Sequence, residues 1–360
     1  MRQCFSIGLF ALLVLSLPGC GGFRDTKPQL PGNLDTLCMP DYASGFEMYR
    51  YDSSTLLRIV NPWQGADSVS QWVFLSRDDE KPPKGFAGET IDVPVRRIVC
   101  MSSSYVAFLE ALGADSTICA ISGTGYIWSD KVRNRIAGGE IAEAGFDNSL
   151  NFEKLVALKP DVVFLYGLTG KNAVTDKLHE LGLKTVYIGD YVENNPLGRA
   201  EWITVFGEFT GRRELARTLF DSISNEYNRA KALVSGVEKR PEVMLNAPWQ
   251  DSWFVPGDRS YMVRLLEDAG GNYACRGVDS DQSRPISTET AFVAASQSDF
   301  WLSPGTATSL AELNAMNPRF GSIPPVRNGN VYNNNARTTP EGGSDFWESG
   351  SAYPDRTLKD

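Results

Sequence analysis

The chain carries one histidine, and its six cysteines form no CxxC pair, whereas tyrosine, tryptophan and phenylalanine number 13, 8 and 18. That inventory is poor for catalysis and rich for stacking. His179, in Lys177-Leu178-His179-Glu180-Leu181, falls on the flank of an expected helix and reads as ordinary surface, which disfavours a Ser-His or Cys-His relay. No glycine-rich phosphate loop follows an expected strand; Gly342-Gly343 sits in a polar turn. Capture of bare Zn²⁺ or Mn²⁺ asks for several imidazoles and carboxylates together, so no metal site and no cofactor are expected. What remains is a set of aromatic side chains just beyond expected strand ends: Tyr126, Trp128, Phe146 and Tyr166, then Trp249, Trp253 and Phe254. Arg284, Arg337 and Trp347 lie further along. Exposed loop aromatics are costly unless a binding surface uses them. Trp63, Trp72, Trp202 and Trp301 read instead as packing residues.

The elements that position these side chains follow an α/β rhythm. Asn151 to Lys159 reads as a short helix with Phe152, Leu155, Val156 and Leu158 inward, stopped by Pro160. Val162 to Tyr166 is then a buried strand that delivers Tyr166 to its carboxyl end, where ligands sit in open parallel sheets. Glu153 is left on the outer surface at the helix start. Strands at Arg97–Met101, Ile118–Ser122 and Thr185–Ile188 and helices at Tyr105–Leu112 and Ala173–Leu181 complete a first lobe, residues 95–196. A second lobe, residues 237–360, holds strands at Glu242–Asn246, Phe300–Leu302 and Val331–Tyr332 with helices at Tyr261–Ala269 and Leu310–Met316. Between them, residues 197–236 are helical, broken at Thr210-Gly211. The second helix, Arg212 to Val234, carries Leu215, Leu219, Ile223 and Tyr227 on one stripe and would span roughly 35 Å at about 1.5 Å per residue. A rigid joint of that kind predicts modest closure of the lobes. Residues 38–94, with apolar–polar alternation from Gly45 to Arg77, form a small N-terminal β extension. The fold class is therefore α/β, two parallel-sheet lobes on one long helix.

Residues 1–19 have Arg2, an apolar run and Leu17-Pro18-Gly19 before Cys20, the pattern of a secretory signal whose cysteine becomes a lipidated N-terminus. Residues 20–37 read as a polar tether. This places the body on the extracytoplasmic face of a bacterial envelope, anchored to membrane by lipid. Loss of residues 1–19 removes only Arg2, taking the net charge from −9 to −9 − 1 = −10. An acidic body with no basic run argues against nucleic acid. Cys38, Cys100, Cys119 and Cys275 remain, paired or unpaired.

Two lobes, a lipidated tether, an interlobe helix and the Asn151–Asp161 segment together resemble the siderophore and cobalamin class of ABC-transporter substrate-binding proteins, over roughly residues 95–350. Arg97-Ile98-Val99 before Ser102-Ser103-Ser104, and Leu109-Glu110-Ala111-Leu112-Gly113-Ala114, look like the family's first strand, turn and helix. The resemblance implies a surface glutamate on each lobe for docking to the permease and its ATPase: Glu153, followed by Lys-Pro-Asp, and Glu289 by context. The spacing differs, since Asp161 lies eight residues after Glu153 and Asp299 ten after Glu289. It also implies a metal chelate as cargo. Aromatic walls suit a corrinoid, whereas anionic ferric siderophores want an arginine cluster, which Arg284 and Arg337 would supply only in part; haem is a third option. The family ordinarily closes with a helix on the second lobe, for which Pro354 to Lys359 leaves few residues. The alternative is a surface lipoprotein that holds a glycan or protein through its aromatic loops, with residues 45–77 as the added module.

Overall fold

The computed structural model describes residues 35–146, 149–167, 173–249, 252–277 and 279–360. Cys20, the signal segment and residues 20–34 of the tether lie outside them. Strands β1 (Asp35–Cys38), β2 (Phe46–Tyr51), β3 (Ser54–Val60), β4 (Ser70–Ser76) and β5 (Glu89–Asp92) form one sheet in that order. All neighbours are antiparallel except β4 and β5. The period-2 pattern gives the sheet two apolar faces. Met48, Leu57, Ile59, Val73 and Leu75 enter the core of the first lobe, while Leu56, Trp72 and Phe74 pack under Tyr49, Tyr51 and Phe86. The extension is thus part of the first lobe's core, and residues 35–37, expected in the tether, belong to its edge strand.

The first lobe alternates β6 (Ile98–Cys100), α1 (Ser103–Ala111), β7 (Ile118–Ile121), α2 (Asp130–Ala137), β8 (Ala142–Glu143), α3 (Phe152–Leu158), β9 (Val162–Leu165), α4 (Ala173–Glu180) and β10 (Thr185–Tyr187). Its sheet is wholly parallel in the order β10-β9-β6-β7-β8. The chain reverses its direction of winding between β6 and β9, which opens a crevice outside their carboxyl ends. On α3, Leu155 is buried as expected, but Val156 is 40% exposed because one stripe of a two-turn helix suffices to cover the sheet.

Helices α5 (Pro196–Glu201), α6 (Ile203–Thr210) and α7 (Arg213–Ala232) make the link. The 20 residues of α7 span about 30 Å. Its buried stripe is Ala216, Phe220, Ile223 and Tyr227; Leu215 is 42% exposed, a correction of the expected phase.

The second lobe comprises β11 (Glu242–Leu245), β12 (Pro248–Trp249), β13 (Ser252–Val255), α8 (Tyr261–Asp268), β14 (Asn272–Tyr273), β15 (Arg284–Ser287), α9 (Thr288–Ser296), β16 (Phe300–Leu302), α10 (Leu310–Met316), α11 (Pro324–Asn328) and β17 (Val331–Tyr332). Its parallel sheet runs β14-β11-β16-β17, beside an antiparallel β12-β13-β15 sheet that the sequence did not announce. The chain then returns. Helix α12 (Asp345–Glu348) packs on α1, and α13 (Pro354–Lys359) packs on α7. Ala352 and Tyr353 join the first lobe's core, so this strap belongs spatially to the first lobe and link rather than to the second lobe. The four described cysteines are free thiols.

Candidate functional site

At the crevice, three strand ends of the first lobe converge. Ser102, Ser103 and Ser104 follow β6 and open α1, Tyr166 follows β9, and Asp190 with Tyr191 follows β10. Arg199 of α5, Tyr261 of α8 and Phe346 and Trp347 of the strap close a chamber of about 290 Å³. A second chamber of about 440 Å³ shares Tyr191, Arg199, Tyr261 and Trp347 and continues to Gln64, Asn246, Met262 and Asp281. Together the chambers have the dimensions of sites for cofactor-sized molecules. All three parts of the fold contribute, including the N-terminal extension through Gln64.

The walls are held by specific bonds. The Tyr166 and Tyr191 rings lie 4.3 Å apart, and Tyr191 Oη donates to the Gly167 carbonyl at 2.9 Å. Arg199 Nε donates to the Glu193 carbonyl at 3.0 Å and Nη2 to the Tyr191 carbonyl at 2.8 Å, which aims its guanidinium over the Tyr261 ring at 3.8 Å. Glu348 fixes the strap: its carboxylate accepts from the Trp128 amide at 2.6 Å and the Ser129 amide at 2.9 Å. Burial pushes Glu348 up to about 7 despite those bonds. Asp190 is completely buried at the base of the first chamber, and burial pushes it up to about 6.

Of the expected ligand residues, Tyr166 lines the cleft. Tyr126 and Phe146 form an exposed pair on a neighbouring rim, 6.3 Å apart, in a loop that Glu143 holds through the Gly123, Thr124 and Gly145 amides. Gly342 (φ +101°) approaches this pair so closely that a Cβ would meet Tyr126 at 3.3 Å. Trp128 is half-buried and serves the strap through its amide. Trp253 is corrected: it is fully buried in the second lobe, against Trp301, Phe292 and Phe320, with Nε1 donating to the Leu245 carbonyl. Phe254 points the other way along β13 and is 41% exposed, outside both chambers. Arg284 is half-buried in β15 and lines neither chamber. Arg337 is likewise absent from the walls, being engaged by Asp345 and Asp360. The side chain of Trp249 lies outside the described residues. Trp72, Trp202 and Trp301 are core, and Trp63 packs on Tyr187, as expected. His179, half-exposed, bonds Thr185 Oγ1 and Glu89 on the α4 flank.

Sequence reasoning missed Asp190, Tyr191, Arg199 and Tyr261. Asp190 and Tyr191 carried a usable signal, since they follow a strand as Tyr166 does. Arg199 and Tyr261 come from helices, where no such rule applies.

The two glutamates occupy matching places. Glu153 and Glu289 are exposed in the first turns of α3 and α9, each helix leading into a strand of its lobe's sheet. After α3, Asp161 Oδ2 accepts from the Arg97 amide while its own amide donates to Arg97; after α9, Asp299 repeats both bonds with Glu242. The altered spacing is explained by helix length, seven residues in α3 and nine in α9.

Residues 98–338 match the family model described as periplasmic binding protein. The chain belongs to this family. Its members are substrate-binding proteins, not enzymes, and the solved structures similar to this protein include iron-, haem- and vitamin-B12-binding types. An uncharacterized lipoprotein of Methanocaldococcus jannaschii is 26% identical over 394 residues, covering 100% of this chain and 92% of the relative. The haem-binding protein of Vibrio cholerae shares the fold at a TM-score of 0.57 and 17% identity, over 73% of this chain and 99% of its own. The vitamin B12-binding protein of the same organism does so at 0.53 and 12%, over 74% and 99%. The match to the family leaves the N-terminal extension and the strap outside it.

Proposed function

We propose that this periplasmic binding protein is the lipid-anchored, Cys20-linked receptor of an ABC importer, capturing a metal chelate between its lobes and handing it to a permease. The observation that carries the reading is the cleft itself, an aromatic-walled space at the topological switch point of the first sheet. Among the described residues, Arg199 is the single cation on the walls of the two chambers. A multiply anionic ferric siderophore would be poorly matched there, and haem with its two propionates is matched only in part, so the cleft favours a corrinoid with little net negative charge. Calorimetry and tryptophan quenching against cobalamin, haem and ferric siderophores test this, and binding of none at micromolar concentration would remove it.

Glu153 and Glu289 are the proposed permease contacts, supported by their matched exposure at corresponding helix starts. Glu153→Arg with Glu289→Arg is expected to abolish permease binding and uptake while cargo affinity stays the same. Unchanged uptake would end the docking assignment.

A further inference from the structure

Among the described residues, Asp190 is the one acid on the wall of the first chamber, and neither of its oxygens receives a hydrogen bond of good geometry. It is also fully buried. Neighbouring elements present groups to it: the Ser104 hydroxyl and the Tyr105 phenol from α1, the Ser351 hydroxyl from the strap, the amide and phenol of Tyr191, and the Arg199 guanidinium from α5. Arg199 acts on it through its charge without forming an ion pair, its Nε and Nη2 donating to the Glu193 and Tyr191 carbonyls. A buried carboxylate left in this condition is costly to the fold. A cargo that donates a hydrogen bond to it would relieve that cost, and one that brings another anion would add to it.

We propose that Asp190 is the cargo's polar anchor, so that the first chamber accepts a chelate leading with an N–H or O–H donor, amide or ammonium, and rejects one leading with carboxylate or phenolate. This rests on the chelate-capture reading above. The ligand-free carboxyl, with its pKa of about 6, would then accept best once ionised.

The test titrates the wild-type protein and Asp190→Asn by calorimetry with three probes: cyanocobalamin, whose corrin edge carries neutral amides; a ferric trihydroxamate bearing a free ammonium; and a trianionic ferric tris-catecholate. The wild type is expected to bind one of the two donor-bearing probes best, and Asp190→Asn to weaken that binding roughly 10- to 100-fold, the range for a hydrogen bond to a charged group. For the wild type alone, moving from pH 7.5 to 5 should weaken it too, a readout independent of the variant. Near-UV circular dichroism checks that the variant is folded. Equal affinity of the two proteins, a flat pH profile, or preference for the tris-catecholate overturns the anchor while leaving chelate capture standing. Failure of all three probes, and of haem, to bind overturns chelate capture and the anchor with it.

Discussion

The Arg199 guanidinium rests 3.8 Å from the centre of the Tyr261 ring, a contact between the link and the second lobe that forms a wall common to both chambers. The two carbonyls that hold Arg199 come from the loop after β10, so one side chain coordinates three parts of the fold. Arg199→Ala should lower cargo affinity roughly two- to thirtyfold, the span of a cation–π contact with partial desolvation. Arg199→Lys should recover only part of it, since an ammonium cannot satisfy both carbonyls in a fixed plane. Calorimetry on the two variants separates charge from geometry.

Trp253 and Trp347 should separate stability from binding. Trp253→Ala empties a site among Trp301, Phe292 and Phe320 and is expected to cost about 3–5 kcal/mol in denaturant unfolding. Trp347 is 59% exposed on the cleft wall, and Trp347→Ala should leave the unfolding free energy within about 0.5 kcal/mol while weakening cargo binding. The reverse pattern would place the ligand on the second lobe's hairpin.

Stability should fall as pH rises from 5 to 8. Glu348 ionises near 4.5 when unfolded and near 7 when folded. Between those values the folded protein keeps a proton that the unfolded chain has released, so the stabilisation is complete below the lower value and is lost as pH passes through the upper one. Burial likewise raises Asp190, Glu193 and Glu201, and these act in the same direction. Glu143 and Glu208 are lowered, and their contribution is lost only at more acid pH. Thermal unfolding across this range should show a falling midpoint for the wild type and a shallower slope for Glu348→Gln.

Glu201 secures the extension by accepting from the amides of Asp41, Tyr42 and Ala43 at 2.8–2.9 Å. Glu201→Ala should destabilise by about 2–4 kcal/mol through unmet donors. Because the extension's inner face shares the first lobe's core, it should unfold together with that lobe. Separate transitions by tryptophan fluorescence and circular dichroism would show the extension to be an independent unit.

Much of the architecture was written in local pattern. The buried run Val162–Leu165, the proline stop and the helix before it are contiguous, so Tyr166 reached its place in the cleft by sequence reasoning alone. Trp253 was misplaced because its strand exists through pairing with β15, some thirty residues away, and four residues are too few to show a period. The stripe on α7 was misphased because Leu215 and Leu219 make as good a local pattern as Ala216 and Phe220; packing against α6 and α13 decides. Arg284 and Arg337 looked like ligand groups because sequence shows a cation without showing its partners. Arg337 already had them in Asp345 and Asp360.

The strap changes the mechanics of unloading. The backbone crosses between lobes twice, once through the linking helices and again after residue 338, where α12 and α13 settle on α1 and α7. A body connected at one point can turn about any axis through it, but one connected at two is confined to turning about the line that joins them. Opening the cleft beside Phe346 and Trp347 then works against the Glu348 anchorage, which acts as a latch.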